Sequence, residues 1–533
     1  MTTTPPTTRR WPTTYGPGGM VCSVDHLASS AGIEVLAAGG SAADAAIAAS
    51  AVLTVTTPHM CGMGGDLFAL VHHEAGPPEV LDAAGRAGSG ADAARLRAEG
   101  HAVMPFTGDV RAATVPGCVD GWVALHERHG RLTLADVLAP AIRLAGDGFP
   151  ASPLLVFTLD RLAGVEGCDE LVTARPAVGG RVVRPELART LVSVALGGRE
   201  AFYEGAFGQA LVEVGRGEYD PADLATPGAT WVDPVGRRVW GHDLWTVPPV
   251  SQGYLTVLSA AIVEALVGDD LPAATTPEWA HLLVEATRLA AHDRPRLLHD
   301  GADGAALVAD DRVAAAAARF DAAARADVTA PTAGGGTIYL CAVDGEGMGV
   351  SLIQSNASGY GAHVAVPGTG ILLHNRGIGF SLEEGHPAEY AAGRKPPHTL
   401  SPALVTRPDG SLRQVIGTMG GDSQPHVVLQ LLARTLVGGE EPGTALEAPR
   451  FVLASGTGQG FDTWTAPDQV VRVEAHAPDA WGTGLAERGH TVERAALDPA
   501  GFGHAHVIEV GEDGMRAGAA DVRSVIGAAV ATT

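Results

Sequence analysis

The sequence predicts an α+β fold in which helices and strands share one layered unit. Three observations carry this prediction. With 46% hydrophobic residues, the 533-residue chain can bury a large core. Apolar residues recur at helical spacing in several segments of the first part, and after residue 337 short apolar runs alternate with turns. No repeat of fixed period is visible, which excludes a solenoid.

The first elements form a predicted helical hairpin followed by a strand. Apolar spacing predicts a helix over residues 25–36, which a Gly-Gly pair ends. Ser41 can cap a second, alanine-rich helix that runs through Thr56. The glycine-rich GMGGD then makes a turn, and LFALVHH is typical of a strand.

The middle of the chain is predicted to be mainly helical, and the end mainly β. Predicted helices cover residues 133–148, 185–196 and 277–296, with turns at YDPADL and VPPVSQG. An alanine-rich helix after Val313 runs into a Thr/Pro/Gly segment that has the composition of an exposed linker. Strands are then predicted at TIYLCAV, MGVSLIQS, TGILLHN, LSPALVT, RQVIGTM and HVIEV, with a helix at HVVLQLLARTLVGG.

Charge and hydropathy exclude several classes of function. The chain has 36 basic and 60 acidic residues, a net charge of -24, which argues against binding to nucleic acid or to an anionic membrane surface. No run of about 18 apolar residues suggests a membrane span. A small-molecule substrate is therefore expected, with no cofactor and no metal.

Cysteine usage and the N-terminus predict a cytoplasmic protein. The five cysteines are scattered, without a CxxC pair, so the sequence suggests neither a disulfide framework nor a zinc site. Residues 1–16 contain an Arg-Arg pair, but no apolar stretch follows it. We expect these sixteen residues to be a disordered leader.

Three motif matches are weak. GMGGD lacks the Gly-Lys-Ser/Thr of a phosphate loop, so a tight turn is favoured. Asp422 lies in a Gly-Asp-Ser fragment of the kind found in serine hydrolases, but no GxSxG elbow accompanies it. His504 and His506 alternate like one face of a strand, yet no third metal ligand is evident nearby in the sequence.

Thr337 is the most informative position. Three glycines precede it and it opens an apolar run, which is compatible with a plain flexible loop before a strand. The alternative is a reactive threonine, which needs an exposable segment before it. Taken alone, the residues around Thr337 favour the plain loop.

Stretches along nearly the whole chain resemble the γ-glutamyltranspeptidase family of N-terminal-nucleophile hydrolases. They are MVCSVDHLASSAGIEVLAAGGSAADAAIAAS, PHMCGMGGD, VPPVSQG and HLLVEATRLAAHDRPR before Thr337, and TIYLCAVDGEG, TGILLHNRGIGFSL, RKPPHTLSPALVTRPDG, GTMGGDSQPH and DGMRAGAADVRS after it. The resemblance implies a four-layer αββα sandwich. It also implies a precursor that cuts itself between Gly336 and Thr337 into residues 1–336 and 337–533, which remain associated.

The resemblance also implies catalytic roles. Thr337 would be the nucleophile, and its freed α-amine, a group whose ordinary pKa is about 7.7–8.0, would be the local base. The amides of Gly420 and Gly421 match the family's oxyanion donors, and Ser355 matches a second hydroxyl residue that orients the nucleophile.

The substrate-binding positions depart from the family pattern. Arg86 corresponds to the arginine that holds the substrate's carboxylate, displaced by two positions, and His398 and Thr399 occupy the hydroxyl pair. On the ammonium side, Arg376 and Gly379 replace the usual Gln and Asp, and Asn356 could supply the Asn by a one-residue shift. A site that loses a carboxylate and gains a guanidinium should repel an ammonium group, unless Arg376 turns outward to solvent.

The resemblance therefore implies an amide hydrolase or acyltransferase that acts through an acyl-Thr337 ester. The γ-glutamyltransferase activity of the family is one expectation. A non-γ-glutamyl acylase acting on a glutaryl, oxamate or oxalyl-type group, as in secondary-metabolite biosynthesis, is the alternative. An inactive homologue that serves as a binding protein is a third.

Overall fold

In the computed structural model, side chains alternate along the strand that Thr337 opens. The structure describes residues 13–173, 175–328, 336–455, 469–495 and 501–533. On the strand Gly336–Val343, Tyr339 and Cys341 belong to a core between two sheets, whereas Ile338 and Leu340 belong to a core beneath helices. The strand therefore lies in an inner layer, with its odd-numbered side chains facing the second sheet.

Two seven-stranded antiparallel sheets form the inner layers. Sheet I contains, in spatial order, Ala528–Ala531, Met20–Ser23, Gly336–Val343, Gly349–Ala357, Asp66–His72, Glu79–Ala83 and Thr230–Val232. Sheet II contains Thr14–Gly16, Arg516–Ala520, Ala505–Val510, Leu412–Thr418, Ala403–Thr406, His242–Thr246 and Val235–Val239. Smaller sheets pair Ala365–Val366 with Ile371–Leu372, Phe149–Pro150 with Arg181–Val182, and Phe451–Ser455 with Gln469–Val473 and Val492–Arg494.

Helices cover both outer faces and complete an αββα arrangement. The helices of residues 26–225 are His26–Ala37, Ala42–Thr56, Ala93–Ala98, Cys118–His129, Leu134–Asp147, Pro153–Thr158, Asp169–Val172, Pro185–Tyr203, Ala206–Gly215 and Pro221–Ala225. The later helices are Tyr254–Val267, Pro277–Ala291, Arg294–Leu297, Asp310–Ala317, Gln424–Leu432, Pro442–Glu447 and Asp479–Glu487. Short 3₁₀ turns include Arg376–Gly379, and a π-helical turn, Ala433–Val437, follows Leu432.

The predicted α+β fold is confirmed, and the first hairpin shows why the sequence was informative. Ser41 Oγ accepts a hydrogen bond from the Asp44 amide at 3.1 Å, and Asp44 Oδ2 accepts one from the Ser41 amide at 3.0 Å. This capping box fixes the start of the helix Ala42–Thr56, every residue of which is buried.

Three expectations need correction. Thr14–Gly16, expected to be disordered, forms an edge strand paired with residues 516–518. YDPADL contains a short helix, Pro221–Ala225, which Asp220 caps. The helix predicted over 277–296 ends at Ala291, because Pro295 disfavours continuation, and Arg294–Leu297 forms a separate turn.

Other expectations concern the linker, the membrane and the cysteines. Residues 329–335 of the predicted linker lie outside the described residues. Among the helices that the structure describes, none is long and apolar enough to cross a membrane. All five cysteines are buried and unpaired.

Candidate active site

Two hydroxyl groups meet at the start of the central strand. The ladder between Gly336–Val343 and Gly349–Ala357 shifts register between Gly336 and Ile338, next to Thr337. Thr337 Oγ1 lies 3.0 Å from Ser355 Oγ, and both side chains are buried. Ser355 Oγ also accepts a hydrogen bond of 2.7 Å from the Ala357 amide, so the backbone of the same strand fixes its position.

Arg376 extends this row of polar groups. Its Nη2 donates to Ser355 Oγ at 3.3 Å and its Nη1 donates to Thr399 Oγ1 at 3.0 Å. The side chain is 1% exposed, so the possibility that Arg376 turns outward to solvent is excluded. Burial lowers the pKa of Arg376 to about 10, although the carboxylates of Asp66 and Asp422 oppose this shift. The guanidinium therefore stays charged at neutral pH.

Asp66 organises the far side of the site, and the sequence analysis did not identify it. Its Oδ2 lies 3.1 Å from His398 Nε2 and 3.4 Å from His374 Nδ1, and its Oδ1 accepts a hydrogen bond from the Gly85 amide at 3.0 Å. Burial alone would raise the pKa of Asp66, but His374, His398 and Arg376 outweigh it and hold the pKa at about 2. Asp66 is thus an anion in the cross-strand position opposite Ser355.

His398 and Thr399 point to different partners. The Leu400 amide donates to His398 Nδ1 at 3.3 Å, so Nε2 carries the proton and donates it to Asp66. Burial, followed by the charge of Arg376, lowers the pKa of His398 to about 3, and the ring is neutral. Between described residues, Thr399 thus bonds Arg376, whereas His398 bonds Asp66.

The paired glycines form a sharp turn before the helix Gln424–Leu432. Gly420 and Gly421 have φ angles of 137° and 57°, in the region that favours glycine. A Cβ on Gly420 would lie 2.5 Å from Ser423 Oγ. Gln252 Nε2 donates to the carbonyl oxygens of both Gly421 and Thr399, at 2.9 and 2.8 Å, and so ties this turn to the Arg376 side of the site.

A buried ion pair follows the glycines. Asp422 Oδ1 lies 2.7 Å from Nη1 of Arg294, and both side chains are almost completely inaccessible. Arg294 reaches this position because the preceding helix ends before it. The pair adds one charge of each sign and leaves the net charge around Arg376 unchanged.

Two predicted residues do not join this group. Asn356 follows Ser355 on a strand, so its side chain points to the opposite face, where Nδ2 donates to the Pro58 carbonyl at 3.3 Å. Arg86 is 44% exposed; it donates to the Gly393 carbonyl at 3.1 Å and lies 3.6 Å from Asp300 Oδ2. Neither contact places these side chains beside Thr337.

The surroundings of Gly379 leave no space for an acidic side chain at this position. A Cβ on Gly379 would lie 2.4 Å from the Pro397 carbonyl oxygen. The segment that carries Thr399 therefore packs directly on the turn that carries Arg376, and a carboxylate side chain at position 379 has no room without a backbone shift.

One group among the described residues has the composition of a metal site. His73, Glu79 and His129 bring their ligand atoms within 4.8 Å of one another. Arg128 already holds both oxygens of Glu79, at 2.7 and 2.8 Å. The group lies near the end of the strand Asp66–His72 that is remote from Asp66.

Comparisons with known proteins identify the family and the fold. A family model described as gamma-glutamyltranspeptidase matches residues 28–531. The glutathione hydrolase-like YwrD proenzyme of Bacillus subtilis is 36% identical over 519 residues, which are 95% of this chain and 97% of that protein. The oxamate amidohydrolase proenzyme of Klebsiella pneumoniae is 34% identical over 527 residues, with the same coverage of both chains. The crystal structure of cephalosporin acylase from Bacillus halodurans superposes with a TM-score of 0.88 at 31% identity, covering 100% of this chain and 99% of that one.

Proposed function

The chain belongs to the gamma-glutamyltranspeptidase family, and from that premise we propose that it is a self-activating hydrolase that cleaves amides of carboxylate-bearing acyl groups. The observation that carries this proposal is the buried row of Thr337, Ser355 and Arg376. A nucleophile, a hydroxyl group that orients it and a fixed cation lie within two hydrogen bonds.

The first step is maturation. The hydroxyl group of Thr337 attacks the carbonyl carbon of Gly336, and the C–N bond breaks as the acyl group moves from nitrogen to oxygen. The hydroxyl proton passes to the departing nitrogen, which becomes the α-amine of Thr337. Water then hydrolyses the ester, which releases the carboxylate of Gly336 and restores the hydroxyl group of Thr337. A glycine before the bond favours this step because its carbonyl is accessible and its backbone tolerates strain.

Turnover reuses the same hydroxyl group. The α-amine of Thr337 accepts the hydroxyl proton, and the oxygen attacks the substrate's amide carbonyl. The amides of Gly420 and Gly421 stabilise the developing oxyanion, and the leaving amine takes the proton. The α-amine of Thr337 then deprotonates a water molecule, which hydrolyses the acyl-Thr337 ester and releases the acid.

The two products of maturation, residues 1–336 and 337–533, stay associated. Sheet I supports this proposal, because Gly336–Val343 pairs with Met20–Ser23 on one side and Gly349–Ala357 pairs with Asp66–His72 on the other. Cutting before Thr337 removes none of these ladders. The cores on both sides of the sheet also combine residues from the two parts.

The acyl group carries a carboxylate and no ammonium. Arg376 can donate charge-assisted hydrogen bonds to a carboxylate, each contributing about 1.5–3 kcal/mol. An ammonium group at the same place would face a guanidinium without the usual acidic side chain, since Gly379 occupies that position. The names of two relatives, an oxamate amidohydrolase and an acylase, support a non-γ-glutamyl substrate.

A matched pair of substrates tests this function. A γ-glutamyl anilide differs from a glutaryl anilide only in that an α-ammonium group replaces one hydrogen atom. The ratio of their kcat/KM values therefore isolates the effect of the ammonium group. The proposal predicts at least about tenfold higher kcat/KM for the glutaryl anilide, the value of one lost contact of about 1.4 kcal/mol. Equal or faster turnover of the γ-glutamyl anilide would establish γ-glutamyl hydrolysis or transfer instead.

We also propose that the protein works in the cytoplasm. Five buried, unpaired cysteines support a reducing compartment. Fractionation of the native host, followed by detection of the small chain, tests the location.

A further inference from the structure

Two histidines and a glutamate converge at one end of sheet I. His73 follows the strand Asp66–His72, Glu79 opens the next strand along the chain, and His129 ends the helix Cys118–His129. Their ligand atoms all lie within 4.8 Å of one another, and no other trio of His, Cys, Asp or Glu does so in the part of the chain that the structure describes. Three separate elements therefore contribute one metal ligand each, which is why no local motif indicated this group.

The distances between the ligand atoms suit a small metal ion. Glu79 Oε2 lies 2.9 Å from His129 Nε2, and Glu79 Oε1 lies 3.4 Å from His73 Nε2. Bonds of about 2.0–2.2 Å in a tetrahedral site place neighbouring ligand atoms roughly 3.3–3.5 Å apart. The two imidazole rings are inclined at 51°, and their ligand atoms need to approach each other by at most about 1.5 Å to reach this geometry.

Arg128 contacts Glu79 without using all of its acceptor sites. Its Nε lies 2.7 Å from Oε2 and its Nη2 lies 2.8 Å from Oε1. A carboxylate offers about four lone-pair sites, so this bidentate contact leaves about one on each oxygen for a metal ion. Arg128 also stacks on the ring of Trp231, at 4.6 Å from its centroid. It therefore fixes the direction of the carboxylate, as hydrogen-bonded neighbours of metal ligands commonly do.

The surroundings favour a bound cation. His129 is the last residue of a 12-residue helix, where the helix dipole presents its negative end. Its side chain is 7% exposed, and the ring of Trp231 packs edge-on against it, which holds the imidazole in place. The side chains of His73 and Glu79 are 31% and 30% exposed. A metal ion can therefore enter from solvent, and water can complete its coordination.

We propose that His73, Glu79 and His129 form a binding site for a divalent first-row transition-metal ion of the Zn²⁺ type. Two imidazoles and one carboxylate suit Zn²⁺, whereas Mg²⁺ and Ca²⁺ favour sites built from oxygen ligands. The strand of seven residues that leads from Asp66 separates this site from the candidate active site by about 20 Å. The ion clamps the turn between the two strands to the helix, so the inference does not depend on the chemistry of Thr337.

A zinc titration of the mature protein without an affinity tag tests the site. The protein is treated with EDTA, exchanged into buffer without chelator and titrated with Zn²⁺ in a calorimeter. One Zn²⁺ should bind per pair of large and small chains and should raise Tm, since the folded state binds the ion more tightly than the unfolded state. Mg²⁺ at the same concentration should leave Tm unchanged. Absence of saturable Zn²⁺ binding, or an equal rise in Tm with Mg²⁺, overturns the proposal.

A pair of histidine variants locates the bound ion. His73→Gln removes one ligand and should lower the affinity for Zn²⁺ at least about tenfold, because even the loss of a neighbour of a metal ligand costs about 10- to 100-fold. His101→Gln is the control, since His101 is also partly exposed and lies 4.0 Å from a carboxylate, that of Glu99. Unchanged affinity in His73→Gln, or an equal loss in His101→Gln, places the zinc elsewhere and overturns the proposal.

Trp231 provides a second readout that leaves the three ligands intact. Cu²⁺ binds sites of this ligand type more tightly than Zn²⁺ and quenches the fluorescence of a nearby tryptophan. The ring of Trp231 lies 5.4 Å from that of His129, between centroids. One equivalent of Cu²⁺ should therefore quench part of the fluorescence of the wild-type protein, and clearly less in Trp231→Phe. Equal quenching in the two proteins overturns the proposal.

Discussion

Ser355 Oγ lies 3.0 Å from Thr337 Oγ1, with both hydroxyl groups buried. Because the Ala357 amide also donates to Ser355 Oγ, the serine hydroxyl cannot rotate freely around the nucleophile. In the proposed mechanism, Ser355 is the group that sets the direction of the Thr337 oxygen before attack.

Ser355→Ala should therefore slow both maturation and turnover. Losing one orienting hydrogen bond of about 1.5–3 kcal/mol in the transition state corresponds to roughly a 10- to 150-fold loss in kcat. The rate of appearance of the two chains and the kcat for a glutaryl anilide measure the two effects.

Ser351→Ala is a matched control for this change. Ser351 lies on the same strand and face, is buried, and bonds the Tyr339 hydroxyl at 2.8 Å. Its loss should lower Tm while kcat stays within about twofold of wild type. A similar loss of kcat in both variants would mean that Ser355 acts only through stability.

Arg376→Met should remove the preference for a charged acyl group. The ratio of kcat/KM for glutaryl over valeryl anilide compares a carboxylate with a methyl group at the same chain length. We expect the ratio to fall about 10- to 150-fold in the variant, since the charge-assisted contact is lost. An unchanged ratio would show that the carboxylate binds elsewhere, with Arg86 the next residue to test.

Gly420→Ala should abolish most activity. The new Cβ would lie 2.5 Å from Ser423 Oγ at a φ of 137°, so the turn must move and its amides with it. Loss of an oxyanion donor typically costs about 10²–10³ in kcat. Gly439→Ala is the control, because Gly439 also has a positive φ but open space around it. Equal kcat in the two variants would exclude the turn from the oxyanion role.

His398→Gln should make the protein less sensitive to acid. Burial lowers the pKa of His398 to about 3, below its ordinary 6.5, so the unfolded state binds this proton first. Stability from this group is therefore complete above about pH 6.5 and falls by at most about 1.4 kcal/mol per pH unit towards pH 3. The glutamine keeps a donor for Asp66 and cannot be protonated.

The fall in Tm between pH 7 and pH 4.5 measures this effect. It should be smaller in His398→Gln than in wild type, and unchanged in His26→Gln, whose imidazole is 55% exposed. An identical fall in all three proteins would mean that His398 is not held neutral.

The sequence was sufficient for the elements whose local signals agree with the fold. The capping residue Ser41 and the apolar run that Thr337 opens predicted a helix and a strand that the structure contains. The sequence was insufficient where a shift of one residue along a strand decides on which face of the sheet a side chain lies. We expected Asn356 to replace the family's asparagine by a one-residue shift, yet that shift turns its side chain away from Thr337.

Long-range contacts were equally hidden. Asp66 looked like the last residue of a turn, and its role as the partner of His374 and His398 depends on segments about 300 residues away in the sequence. The contact of Pro397 with Gly379 could not be read from either segment alone. It also means that Gly379→Asp cannot simply restore an ammonium site.

The central claim is that Thr337 becomes the nucleophile by cutting the bond before it. Purified wild-type protein should separate on a denaturing gel into two chains, and Edman sequencing of the smaller one should begin Thr-Ile-Tyr-Leu. Thr337→Ala should remain a single inactive chain. A wild-type protein that hydrolyses its substrate while its mass stays that of the intact chain would contradict the account.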